Sequence, residues 1–351
     1  MTSRAALLLF VTALLAAGCG SSAKGGDTTA DASCPAPASN TTASQPGYLG
    51  DWAPGDYPSD LSAGNYLTIM GVQGQMGNAR QYGVHVPTGY DKTKPLPALF
   101  CIHGFSQTAV MFCLDTGVDW STKADLEDFV LIMPNGYMNS WNAGTCCGTA
   151  ASDGLDDVAL IRAIFAEVAT HVNIDLTRVY ATGLSNGGYL SYRLACEASD
   201  LFVAVAPSAG AVGTAAIGGG TQDTSDLAVC NPTNKVSVLD IHGTSDPLIP
   251  YSTQKPSLAI VQAANGCSMT TTPATVPPSG GDTTCVTYSG CPTCPNIEVT
   301  GCSIAGGGHC WFGSSDCGTG GGAIGLAVVG NNSNFMKNTD QIWAFLSTKS
   351  R

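Results

Sequence analysis

A chain of 351 residues, 44% hydrophobic and only 11% charged, can bury a core without help from a metal or a partner, and its composition excludes a disordered or coiled-coil protein. A net charge of −12, with 14 Lys and Arg in all, excludes a phosphate-backbone ligand, so no nucleic-acid partner is expected. Fifteen cysteines exclude a reducing cytosol as the home of the folded chain.

At the start, Arg4 and the apolar run 5–17 read as an export signal, too short to span a bilayer comfortably. The run ends in Leu15-Ala16-Ala17-Gly18-Cys19, which looks like a bacterial lipobox, so residues 1–19 are read as a signal peptide with Cys19 as the lipidation site. Gly20, rather than Asp, follows it, which by resemblance to Gram-negative lipoproteins points to the outer membrane. Ordinary cleavage near Gly18 would instead give a secreted protein. Residues 20–47, rich in Gly, Ser, Thr, Ala and Pro, read as a flexible tether, and 48–351 as one folded domain.

Within that domain, 81–86 reads as a strand, and 98–102 and 129–133 are short continuous apolar runs of the kind buried on both faces of a parallel sheet. Over 156–171 the period changes: Val158, Ile161, Phe165 and Val168 recur three and four apart and place an apolar stripe on one helix face. Strands over 179–182, 202–206 and 236–241 and a helix over 187–198 continue the alternation. The spacing therefore predicts an α/β fold, a mostly parallel central sheet with helices on both faces. Between 266 and 301 the pattern lapses into Thr, Pro, Gly and Cys and reads as a disulfide-rich insertion, and 340–346 as a closing helix.

With Cys19 lipidated, 14 cysteines remain for up to seven disulfides, whose pairing the sequence does not give. The neighbours Cys146 and Cys147 are expected to reach different partners, because bridging them strains the peptide between. Cys291-Pro-Thr-Cys294 reads as structural rather than redox-active, since no thioredoxin-like βαβ pattern surrounds it.

Gly183-Leu184-Ser185-Asn186-Gly187 is a G-x-S-x-G that follows an apolar strand and opens an amphipathic helix, the setting of the α/β-hydrolase nucleophile elbow. A serine hydroxyl is a weak nucleophile until a base takes its proton, so an acid and a histidine must follow in the order Ser, acid, His. The strand ending at Ile241 runs into His242-Gly243-Thr244-Ser245-Asp246, which makes Asp246 the acid, while Asp240 inside the strand is read as structural. Of the five histidines only His309 lies beyond Asp246, in a glycine-rich loop. His103 and His242, each before a Gly at a strand end, are read as loop braces. Phe105 or its neighbour, with Asn186, is expected to supply the backbone donors of an oxyanion hole. Asp156 and Asp157, adjacent at a helix start, are read as helix-dipole partners rather than a carboxylate pair.

His103-Gly104-Phe105-Ser106-Gln107, Trp141-Asn142-Ala143-Gly144 with the Cys146-Cys147 pair, Asp156-Asp157-Val158, the elbow, Ala204-Val205-Ala206-Pro207, His242 to Asp246 and Gly307-Gly308-His309 occur in one order. Together they resemble the polyhydroxybutyrate-depolymerase-like esterases, including the feruloyl and acetylxylan esterases of plant polysaccharide, over about residues 65–347. The resemblance implies an α/β-hydrolase that uses no metal or organic cofactor, with Ser185, Asp246 and His309 as nucleophile, acid and base and an ester as its substrate. The Trp-Pro-Gly that often follows the family's histidine is replaced here by Cys310-Trp311-Phe312-Gly313. Trp141 and Trp311 are expected to border the substrate, because aromatic faces stack on phenolic rings and sugars. Feruloyl or acetylxylan ester cleavage leads, hydroxybutyrate-polymer hydrolysis follows, and the rivals of other classes are a lipid-anchored binding protein without catalysis and a peptidase.

Overall fold

The computed structural model describes residues 41–44, 48, 52–61, 65–70, 72, 79–115, 118–144, 146–213, 230–293, 296–314, 317 and 331–351. The segment read as a signal peptide, with Cys19, and most of that read as a tether lie outside them. Within the segment read as tether, Thr42 is buried: its hydroxyl donates to Val172 O (2.6 Å) and accepts from Ile174 N (2.7 Å).

One sheet organises the domain. Its centre is six parallel strands in the order β5 (Val130–Pro134), β4 (Leu96–Ile102), β6 (Ile174–Leu184), β7 (Ala204–Ser208), β8 (Ser237–Gly243) and β11 (Val299–Ile304). Antiparallel strands finish both margins: β3 (Arg80–Val86) with β1 (Gly55–Tyr57) and β2 (Leu67–Ile69) beyond β5, and β10 (Thr283–Tyr288) with β9 (Thr271–Pro273) beyond β11. The disulfide-rich insertion adds strands to the sheet, and its register aligns Cys285 with Cys302, which are joined by a disulfide.

Every residue of β4 is buried, as expected of a strand covered on two faces. Ala98, Phe100 and Ile102 point into one core with α4 (Asp157–Val168), α5 (Asn186–Glu197) and α6 (Gln254–Asn265). Leu99 and Cys101 point into the other, with α1 (Ala109–Cys113), α2 (Trp120–Glu127) and α7 (Asn338–Leu346). Each large apolar side chain so buried contributes about 1.5–3 kcal/mol relative to exposure, which makes these two clusters the main support of the sheet.

Six disulfides join described residues: Cys101–Cys113, Cys146–Cys147, Cys196–Cys230, Cys267–Cys291, Cys285–Cys302 and Cys310–Cys317. Such a set belongs to an oxidising compartment. Contrary to expectation Cys146 and Cys147 bond to one another, the peptide between them being cis. Cys291 pairs with Cys267 across 24 residues, the staple that its sequence context suggests.

Candidate active site

The C-terminal ends of the parallel strands form one edge of the sheet, where loops from different strands converge. Ser185 turns directly from β6 into α5 with φ 57° and ψ −120°, a left-handed φ for a residue with a Cβ. The turn is held by Ser185 N, which donates to Ser208 O (2.9 Å) at the end of β7, and by Tyr189 N, which donates to Ser185 O (2.9 Å). It is possible because Gly187 lacks a side chain: a Cβ there would collide with the carbonyl oxygens of Ile102 and His103. Ser185 itself remains partly exposed.

Asp246 follows β8 by three residues and His309 follows β11 by five, and since these strands are neighbours the two side chains meet. His309 Nδ1 donates to Asp246 Oδ2 at 2.8 Å, with both residues buried. The other carboxylate oxygen accepts from the backbone of Leu248 and Ile249, each at 2.8 Å. Burial alone would raise the Asp246 pKa, but the hydrogen bond and charge of His309 outweigh it and hold the carboxyl below its ordinary value of 3.8. A carboxylate pinned this way fixes the imidazole tautomer and leaves Nε2 to act as a base. No hydrogen bond joins Ser185 Oγ to His309 in this structure.

The loop after β4 lies against the elbow: a Cβ at Gly104 would stand 3.6 Å from Ser185 Cβ. There Gly104 N donates to Gln107 Oε1 (2.8 Å), Ser106 N to Asn139 O (2.8 Å) and Gln107 N to Gly104 O (3.2 Å). Among the described residues, Phe105 N–H is left without a partner. The N–H of Asn186, first in α5, likewise has no intrahelical acceptor.

His103 and His242 brace loops. His103 donates through Nδ1 to Gly104 O (2.7 Å) and accepts at Nε2 from Gly136 N (2.9 Å), and complete burial pushes its pKa down to about 4. His242 Nε2 donates to Ile249 O (2.9 Å) and lies 3.6 Å from Asp246 Oδ2. Asp240 is buried between Tyr192 and Gln254. Asp156 caps α4 through Ala159 N, and the buried Asp157 pairs with Arg80 (3.0 Å).

The two tryptophans correct the sequence reading. Trp141 is 0% exposed and Trp311 is 2% exposed, so neither ring presents a face to a substrate. Trp311 packs edge-on against Phe112 and Trp120 and donates to Thr339 Oγ1 (3.0 Å). Trp141 donates through its indole to His103 O (2.9 Å). A polar tip that finds a buried acceptor lets a large ring stay inside the core. The side chain of Asn186 also has a part that the elbow motif alone does not disclose: its Oδ1 accepts from Trp141 N (2.7 Å) and its Nδ2 donates to Trp141 O (3.0 Å).

Comparison with known proteins places the chain among esterases. The family model described as "Putative esterase" matches residues 74–265, more than half of the chain. "Probable feruloyl esterase C" of Aspergillus oryzae is 31% identical over 55% of this chain and 64% of its own length. Feruloyl esterase C of Emericella nidulans is 28% identical over 61% of this chain and 72% of its own. The chain thus spans less than two thirds of the length of the first of these relatives. Among solved structures, the acetyl xylan esterase from Aspergillus awamori superposes with a TM-score of 0.55 at 13% identity, covering 81% of this chain and 99% of that one, a likeness of fold.

Proposed function

We propose, from the premise that this chain belongs to the esterase family, that it is an exported serine carboxylic ester hydrolase acting on feruloyl or acetyl esters of plant polysaccharide. The observation that carries the reading is the buried Asp246–His309 hydrogen bond, which stands at the same sheet edge as the strained Ser185 elbow. Ser185 Oγ attacks the ester carbonyl while His309 Nε2 takes its proton, and Asp246 orients the imidazole and stabilises its charged form. The negative charge that develops on the carbonyl oxygen is accepted by the N–H groups of Phe105 and Asn186. Collapse of this intermediate expels the alcohol with the proton from His309, and water releases the acid by the same steps in reverse. The Ser185–His309 hydrogen bond forms as substrate fills the site, since catalytic hydrogen bonds are often loose in empty enzymes.

The feruloyl and acetylxylan choice is supported by the names of the relatives and of the structural neighbour. Anchoring through lipid on Cys19 belongs to the same proposal, and mass spectrometry that finds an unmodified N-terminus beyond Cys19 refutes it.

The test of the catalytic reading is Ser185→Ala, assayed on methyl ferulate, acetylated xylan, hydroxybutyrate oligomers and nitrophenyl esters, with a fluorophosphonate probe on the parent protein. Turnover on the first two substrates that the variant abolishes, with labelling at Ser185 alone, is the expected result. An active variant, or a label at Ser208, overturns the assignment, and turnover confined to hydroxybutyrate oligomers redirects the substrate.

A further inference from the structure

Two N–H groups that act on one oxygen atom must be held at a fixed separation, yet Phe105 and Asn186 belong to different segments, the loop after β4 and the first turn of α5. What spans them is Trp141. Its backbone is gripped by the Asn186 side chain at both its N–H (2.7 Å) and its C=O (3.0 Å), and its indole N–H reaches across to His103 O (2.9 Å), two residues before Phe105. Every member of this path is fully buried, so no water competes for the bonds.

The far side of the bridge is tied down as well. Cys147 N donates to Trp141 O (3.1 Å), sharing that acceptor with Asn186, and Ala143 N donates to Cys146 O (2.7 Å). His103 is clamped from the other direction by Gly136 N, which begins the loop that leads to Trp141. The path from Asn186 through Trp141 to His103 is therefore a continuous run of hydrogen bonds, with the Asn186 N–H at one end and the Phe105 N–H two residues beyond the other.

We infer that Trp141 is a positioning residue that sets the spacing of the two oxyanion donors, acting through Asn186 on one side and His103 on the other. This rests on the serine hydrolase reading above. The indole N–H is the exchangeable part of the device, because phenylalanine keeps a ring in the core but leaves His103 O without its donor.

The experiment compares wild type with Trp141→Phe and, as a second variant, Asn186→Asp, which keeps the acceptor for Trp141 N and removes the donor to Trp141 O. Three quantities are measured: kcat and KM on nitrophenyl acetate, the affinity of a trifluoromethyl ketone whose carbonyl oxygen becomes the charged hemiketal oxygen when Ser185 Oγ adds and its proton passes to His309, and the thermal midpoint. Displacing a catalytic group by about an ångström lowers rates by roughly 100-fold, so a fall in kcat of about 10- to 100-fold is expected, with KM little changed. The ketone should lose affinity by the same factor, because it uses the same two donors. A merely structural role would lower the thermal midpoint without that matched loss. If Trp141→Phe does not fold, Asn186→Asp decides on the same readouts. Unchanged kcat and ketone affinity in the folded variants overturn the inference while wild-type turnover and labelling of Ser185 leave the hydrolase reading standing. A wild type that is neither active nor labelled at Ser185 overturns both.

Discussion

At the scale of single residues, the electrostatics of Asp246 make a pH-dependent claim. Its carboxyl is stabilised in the charged form by His309 and by two backbone N–H groups, against the cost of burial. A carboxyl whose pKa is lower in the folded than in the unfolded chain stabilises the fold at pH above the unfolded value, here 3.8, and that contribution is lost as pH falls through the folded value. Asp246→Asn should therefore lower stability most near neutral pH and flatten its fall below about pH 4, so that variant and wild type converge in acid, read by urea unfolding across pH. An acid limb as steep in the variant as in the wild type would remove Asp246 from this role. That Asp246 and His309 pair was legible in the sequence, because chain order after the elbow left a single histidine. The site of Trp141 was not, since its motif sits beside the catalytic loops in sequence and nothing there tells whether an indole N–H finds a buried acceptor or solvent.

Among the elements, the edge strand β1 is held by more than its ladder. His85 on β3 lies opposite Asp56 of β1 in the register and bonds it at 2.7 Å, while its other ring nitrogen bonds Asp125 of α2 at 3.0 Å. Burial lowers the His85 pKa, but the two carboxylates outweigh it and carry the value above 6.5. A histidine with a raised folded pKa gives its full stabilisation below its unfolded value of 6.5 and loses it as pH rises through the higher folded value. Raising the pH from about 6 to about 9 should thus speed amide exchange across Gly55–Tyr57 beyond the intrinsic base-catalysed change, and His85→Gln should abolish that excess. Equal excess exchange in both proteins would show that the clasp carries no charge. The strands β4 and β5 and the helices α4 and α5 were readable because an unbroken apolar run and a 3.6-residue stripe are each imposed by burial. Helix α2 gave no such stripe: only Trp120 and Ala124 of its eight residues are buried, and its start is set by Asp119, whose side chain accepts from Thr122 N. Strand β11 was hidden because Thr300, Gly301 and Cys302 fill buried strand positions that an apolar pattern would give to Val or Ile.

For the whole molecule, the elbow has a consequence beyond chemistry. Ser185 sits at φ 57° and ψ −120°, and a non-glycine residue in so sparsely populated a region costs on the order of 1–3 kcal/mol. Glycine relieves that strain but makes the unfolded chain freer by about 0.4–1 kcal/mol, a smaller effect. Ser185→Gly should then be inactive yet more stable than wild type, with a thermal midpoint raised by roughly 1–3 °C. A lower midpoint in calorimetry would show that the strain is relaxed in solution. Reactivity and durability thus pull position 185 in opposite directions, and only selection for turnover keeps a serine there. In a lineage that gave up hydrolysis and kept the fold, drift to glycine at that position would be the first mark of the lost activity.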